Sequence, residues 1–312
     1  MMFFEGAEKK LEIRLTPKLA SLRLREYGFW STLVACANAE ILSTSSNHAC
    51  DAYLLSESSL FVWDYKILIL TCGNSTLIEA ACYFINALGA EHIAALCYQR
   101  KNEYQAQLQS TSFADDIAKL RLLIPGEAFR MGHLDSHHHY VFCAENQSVS
   151  SSETSLELMM YHIRGELAEY LKLPTQTEHG IYLQLGLQQL FGDFQLDMHC
   201  FQPAGFSLNA IRGADYFTLH ITPSMGQGDN SYVSFETNLD LAVYPHPVVA
   251  RLLDLFSPIS WDLINFNQPI NTAGFPAHIC LGQGLVTTGS GSQISFRHYQ
   301  QLEPQILQPE FI

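Results

Sequence analysis

The sequence predicts an α+β fold of antiparallel sheet with helices on the outer faces. Three observations carry this. Apolar residues make up 47% of the 312 positions and charged residues only 15%, which supplies a large core and argues against disorder. Most periodic segments are short and strand-like, with roughly four helical patterns among them. Those helices do not alternate one for one with strands, as a parallel βαβ sheet requires. The length allows one large domain or two of ordinary size, and no internal sequence repeat is visible.

Residues 3–15 read as a strand, straight or bent, with Glu5, Glu8 and Glu12 interleaved. Residues 26–42 carry a helical apolar pattern, Phe29, Trp30, Leu33, Val34, Cys36, Ala37 and Ile41. Ser43 to His48 is a polar loop. Phe61-Val62 and Ile67-Leu68-Ile69-Leu70 form a hairpin around Asp64-Tyr65-Lys66. Cys72-Gly73-Asn74-Ser75 is a turn, and Ser75 or Thr76 caps a helix that ends at Gly89. Strand-like pieces at 92–98 and 128–145 are split by a helical segment near 114–123. A Ser-rich connection at 146–152 precedes a predicted helix over 153–171, capped by Ser151 or Ser152. After a loop over Leu173 to Gly180, strands are expected at 181–187, 196–202, 206–210, 215–222 and 231–243. A helix at 247–256 precedes strands at 260–266, 277–288 and 292–299, and a tail with Pro304 and Pro309 follows.

The formal net charge of −14 argues against nucleic acid, whose phosphates need basic patches. The eight cysteines include no C-x-x-C pair, so no zinc or redox motif is visible. The first residues have acids where a secretory leader has bases, and the longest uncharged apolar stretch, Ala80 to Ala90, falls short of the ~20 residues a membrane span needs. The expectation is a cytoplasmic protein with free thiols and no membrane partner. His137-His138-His139 looks metal-like, but neighbours on a strand point to opposite faces. The cluster reads as surface, and no metal is expected.

Tyr53-Leu54-Leu55-Ser56-Glu57-Ser58-Ser59-Leu60-Phe61-Val62 places a polar plug between two apolar runs. Read alone, it is a solvated turn between strands. The sharper reading is a peptide that cuts itself. A Ser hydroxyl attacks the preceding carbonyl to form an ester, and elimination of that ester leaves a pyruvoyl group.

The sequence resembles the eukaryotic-type S-adenosylmethionine decarboxylase family. The resemblance rests on separated motifs in family order: Phe3-Phe4-Glu5-Gly6-x-Glu8-Lys9, the 53–62 stretch, Thr71-Cys72-Gly73, Arg100-Lys101-Asn102 and Met131-Gly132, then Pro203-x-Gly205-x-Ser207-x-Asn209, His220-Ile221-Thr222-Pro223 and Ser231-Tyr232-Val233-Ser234-Phe235-Glu236-Thr237-Asn238. A weaker Phe266-x-Gln268 echo follows. The resemblance implies a four-layer αββα sandwich of two similar halves, about 1–150 and 151–312. It implies cleavage between Glu57 and Ser58, into chains 1–57 and 58–312, with Ser58 converted to a pyruvoyl group that forms a Schiff base with substrate and acts as electron sink.

Further roles follow from the same resemblance. Cys72 matches the proton donor, although its ordinary reading is a buried thiol after a strand. Ser207 and His220 match the self-processing residues, against the ordinary reading of a satisfied strand histidine. Phe4 and Phe201 match the aromatics that sandwich adenine, with Glu57 and position 224 also at the substrate. Glu5 and Glu8 match acids near the active site. The product is the aminopropyl donor for spermidine and spermine. Two alternatives stand beside this: a relative that decarboxylates ornithine or arginine, and a non-catalytic regulatory homologue. Keeping Ser58, Cys72, Ser207 and His220 together disfavours the latter.

The sequence departs from the family at two places. The carboxylate that grips the ribose is Ser224 here, with Asp229 as a substitute; such a contact is worth roughly 1.5–3 kcal/mol. The retained Phe4 and Phe201 argue for an adenosyl substrate all the same. The acidic cluster that binds putrescine in some members matches Glu12, Glu157 and Glu236, with Glu153 in place of an Asp, but the cluster Lys is Leu70 and Lys10 is new. Lys10 is expected to replace the activator in part. A homodimer of processed heterodimers is the expected assembly.

Overall fold

The computed structural model describes residues 8–104, 106–145, 153–202, 204–223, 231–268, 275 and 278–302. The chain divides into two compact units, residues 1–152 with 286–293, and residues 153–285 with 294–312.

The first unit holds strands β1 (Lys9–Leu15), β2 (Ile41–Ser46), β3 (Asp51–Leu55), β4 (Ser58–Val62), β5 (Lys66–Thr71), β6 (Ile93–Lys101), β7 (Glu127–Gly132) and β8 (His138–Glu145). Their order across the sheet is β2-β3-β4-β5-β1-β6-β8-β7. Leu11, Ile13 and Leu15 alternate onto one face with Leu60, Val62, Ile67 and Ile69, as the two-residue period of a strand requires. That face packs against α1 (Tyr27–Cys36), α2 (Leu77–Leu88) and α3 (Phe113–Leu123) through Trp30, Leu33, Phe84 and Leu120. The other face carries Lys10, Glu12, Ser59, Leu68 and Leu70.

The second unit holds β9 (Ser155–Tyr161), β10 (Gln195–Cys200), β11 (Phe206–Arg212), β12 (Asp215–Thr222), β13 (Tyr232–Thr237), β14 (Ser260–Phe266), β15 (His278–Thr287) and β16 (Gln293–Gln301). Its order, β10-β11-β12-β13-β9-β14-β16-β15, repeats the first sheet strand for strand. Every pairing whose register is described is antiparallel. The helices α4 (Glu166–Tyr170), α5 (Glu178–Leu185), α6 (Leu187–Phe191) and α7 (Val248–Phe256) cover the face formed by Leu158, Leu208, Leu219, Phe235 and Trp261. The opposite face carries Ser207, Asn209, Thr218, His220 and Glu236. An α+β fold of antiparallel sheets with helices is therefore what the chain adopts.

Several sequence expectations are corrected. Residues 155–161 form a strand where a helix was predicted. This strand is central and buried at every position, so it lacks the alternation that marks a half-exposed strand. Residues 178–185 form a helix where Ile181, Leu183 and Leu185 read as an alternating strand. Thr177 accepts a hydrogen bond from the Gly180 amide at its start, and Gly186 ends it at φ +65°. The loop at 43–48 largely belongs to β2, an edge strand. Thr76 occupies the N-cap of α2 without a side-chain cap; its hydroxyl donates to the Cys36 carbonyl instead. The histidine cluster is not surface. His138 and His139 are buried, and His139 Nε2 lies 2.7 Å from Gln99 Oε1.

Candidate active site

The predicted residues fall into two sets, one in each unit. In the first, β3 and β4 form a tight hairpin with Leu55 opposite Ser58, so Ser56-Glu57 is a two-residue turn. The Ser56 amide donates to Glu40 O at 2.9 Å, and the Glu40 amide donates back to Ser56 Oγ at 3.0 Å. The turn is thus pinned to the chain entering β2. Ser56 and Glu57 are half-buried, and the two serines that follow are buried, Ser58 at 3% exposure and Ser59 fully.

Ser58 has φ of +148°, a conformation that residues with a Cβ rarely adopt. Holding it there costs about 1–3 kcal/mol. The strain sits on the bond where cleavage is expected. The carbonyl before it, Glu57 O, accepts two hydrogen bonds from one residue: the Cys72 amide at 3.0 Å and the Cys72 thiol at 3.2 Å. Two donors on one carbonyl polarise it and stabilise negative charge on its oxygen.

Burial pushes the Cys72 thiol well above its ordinary range, and the Glu57 and Glu8 carboxylates oppose its ionisation further. The sulphur therefore keeps its proton, as a donor must. Burial also raises the Glu57 carboxyl. Gly73 turns the chain after Cys72 at φ +63°, and a Cβ there would meet Glu57 Oε2 at 3.4 Å.

Lys9 fixes this turn, a role the sequence reading did not give it. Its Nζ donates to Ser75 O at 2.8 Å, Gly73 O at 3.4 Å and Gln109 Oε1 at 2.8 Å. Burial and the nearby Arg100 guanidinium lower its pKa to about 8. The Ser75 hydroxyl donates to Thr71 Oγ1 at 2.7 Å, so both ends of the turn are tied. Glu8 is buried beside β1, and its carbonyl accepts from the Lys101 amide.

In the second unit, Ser207 and His220 face each other across β11 and β12, with Ser207 Oγ 2.8 Å from His220 Nδ1. His220 Nε2 lies 2.8 Å from Thr218 Oγ1, and Thr218 donates to Asn209 Oδ1 at 3.2 Å. Burial drives the His220 pKa down to about 3, so the ring is neutral at physiological pH. An unfolded chain takes up a proton at this histidine near 6.5 and the folded chain does not. The folded state therefore loses up to about 1.4 kcal/mol per pH unit as pH falls below 6.5. A His220→Gln chain should flatten this limb of a stability-versus-pH curve measured by urea denaturation.

Phe201 follows β10, half-buried, with its amide donating to Gly205 O at 2.9 Å and its ring edge-on to His199 at 4.7 Å. Gly205, at φ +132°, would set a Cβ 3.4 Å from Phe201 Cβ. Of the acidic set, Glu157 and Glu236 are buried register partners on β9 and β13. Glu236 accepts from the Tyr216 hydroxyl at 2.8 Å. Glu153 is exposed ahead of β9. Lys10 and Glu12 lie two apart on β1, hence on one face of the first sheet. Phe4, Glu5, Ser224 and Asp229 lie outside the described residues.

Comparison with known proteins places the chain. Residues 1–279 match the family model described as adenosylmethionine decarboxylase. A protein named S-adenosylmethionine decarboxylase proenzyme from Dictyostelium discoideum is 31% identical over 278 residues, 82% of this chain and 72% of that one. A proenzyme of the same name from Leishmania donovani is 32% identical over 291 residues, covering 87% and 75%. One from Xenopus laevis is 30% identical over 275 residues, covering 82% and 81%. In fold, the chain is similar to the crystal structure of the Trypanosoma brucei AdoMetDC-delta26 monomer, with a TM-score of 0.59 and 23% identity over 78% of this chain and 99% of that one. With sixteen strands among the described residues, in two sheets of one topology, and a family match across most of its length, the chain belongs to the adenosylmethionine decarboxylase family.

Proposed function

We propose that the chain is a proenzyme that cuts itself between Glu57 and Ser58 and then decarboxylates S-adenosylmethionine. The observation that carries this reading is the Glu57 carbonyl, polarised by two donors from Cys72 and joined to a strained Ser58. The Ser58 hydroxyl attacks that carbonyl carbon. The C–N bond then breaks, the freed amine takes the hydroxyl proton, and an ester joins Glu57 to Ser58. Ser207 assists this step. His220 removes the Ser58 Cα proton, and the electron pair expels the Glu57 carboxylate. Water then replaces the resulting amino group, releasing ammonia and leaving a pyruvoyl at position 58. The hairpin fits that outcome, because its strained Ser58 is buried beside a protonated thiol.

A pyruvoyl formed at position 58, held in the β3–β4 hairpin, would supply a carbonyl for the substrate amine and an electron sink as CO2 leaves. Cys72 returns the proton to the substrate Cα, and its raised pKa keeps that proton in place. Glu5 and Glu8 favour the cationic substrate. Phe4 and Phe201 hold the adenine, and residues Glu57 and Ser224 complete the substrate contacts. Release of CO2 from carboxyl-labelled S-adenosylmethionine, but not from ornithine or arginine, is the expected result. Release from either of the others alone would overturn the substrate assignment.

Activation by putrescine is expected to be weak. Lys10 is buried on the same strand face as Glu12, which supports a built-in cation in place of an added one. A severalfold rate increase on adding putrescine at millimolar concentration would contradict this, whereas a flat response agrees. All eight cysteines are unpaired, which supports a reducing, cytoplasmic setting. No helix among the described residues is long and apolar enough to cross a membrane. The edge strand β15 exposes Ile279, Leu281 and Leu285, which supports a homodimer of processed heterodimers, checkable by sedimentation.

A further inference from the structure

A neutral histidine has one ring proton, and the nitrogen that carries it decides where the base lies. His220 is buried, with Ser207 Oγ at 2.8 Å from Nδ1 and Thr218 Oγ1 at 2.8 Å from Nε2. Thr218 has a single hydroxyl proton, and it goes to Asn209 Oδ1. Nε2 must then be the donor to Thr218, which leaves the lone pair on Nδ1 to accept from Ser207. Asn209 presents its amide oxygen to the Thr218 hydroxyl, its cross-strand neighbour on β12.

We propose that Asn209 and Thr218 are positioning residues that fix His220 in the Nε2–H tautomer, with its basic nitrogen, Nδ1, on the Ser207 side. The proposal rests on the reading of His220 as the base of self-processing. In that step the proton leaves Ser58 Cα for Nδ1, the electron pair forms the Cα–Cβ double bond, and the ester C–O bond breaks to release the Glu57 carboxylate. The imidazolium formed keeps an acceptor for its Nε2–H in Thr218. In the opposite tautomer, Nδ1 would carry a proton and no base would face Ser207.

The test has two arms. Nitrogen-15 NMR of a Ser58→Ala chain, with the His220 signals assigned by their loss in His220→Gln, should show Nε2 protonated and Nδ1 bare. Adding Thr218→Val, which matches threonine in shape, should abolish that single tautomer. A proton on Nδ1, or a tautomer unmoved by Thr218→Val, overturns the proposal. In a chain that keeps Ser58, Thr218→Val should slow cleavage by about tenfold, the worth of one hydrogen bond, while Thr218→Ser should cleave near the parent rate. Equal rates for Val and Ser variants also overturn it. If the parent chain itself fails to cleave, the processing reading falls, and the NMR arm still decides the tautomer.

Discussion

A Ser58→Ala chain should remain a single polypeptide of 35.1 kDa under conditions that convert the parent to two fragments. The effect is total because the substitution removes the only atom that starts the acyl shift. The strained backbone and the two donors on Glu57 O would persist, since neither depends on the Ser58 hydroxyl. The test is therefore specific to the nucleophile. A denaturing gel over a time course reads it directly, and two fragments from the alanine chain would exclude Ser58 as nucleophile. The alanine chain should also be devoid of decarboxylase activity.

Cys72→Ala should separate processing from turnover. The residue has two contacts with the scissile carbonyl, one through its backbone amide and one through its thiol. Alanine keeps the amide and loses the thiol. A thiol is a weak donor, so cleavage should slow by no more than about tenfold, the worth of an ordinary hydrogen bond. Turnover should fall by about 10²–10⁴, the range for loss of a positioned general acid. The substrate Cα would then be reprotonated from the wrong group or not at all. Single-turnover assays on the processed variant measure this, and parent-like turnover would refute the proton-donor role. Cys72→Ser should be intermediate, since a hydroxyl can donate to Glu57 O at much the same place.

The parts of this architecture that were legible in the sequence are those set by local chemistry. The hairpin at 53–62 reads from two apolar runs around a polar turn. The helix at 248–256 reads from its one-sided apolar stripe. What was not legible depends on tertiary context. β9 is buried on both faces, so Met159 and Tyr161 on one face blur the strand period of Leu156, Leu158 and Met160 on the other. In α5 the spacing of Ile181, Leu183 and Leu185 imitates a strand, and only Thr177 and Gly186 mark the helix ends. The shared strand order of the two sheets is carried by unlike residues, which is why no repeat was visible.

The site divides in the same way. Ser58, Cys72, Ser207 and His220 were identifiable by type and motif. The positive φ of Ser58 was not, because it arises from the register of β3 with β4 and the pinning of Ser56 by Glu40. The pairing of Asn209 with Thr218 is likewise a matter of β11–β12 register, and the reach of Lys9 to the turn after Cys72 depends on β1 lying beside β5.

Mass spectrometry of the purified parent chain reads the cleavage itself. Two fragments are expected, residues 1–57 with an intact Glu57 carboxylate and residues 58–312 blocked at the amino end by a pyruvoyl group, lighter by one ammonia than the same fragment starting with serine. An intact chain, or a large fragment with a free N-terminal serine, would contradict it.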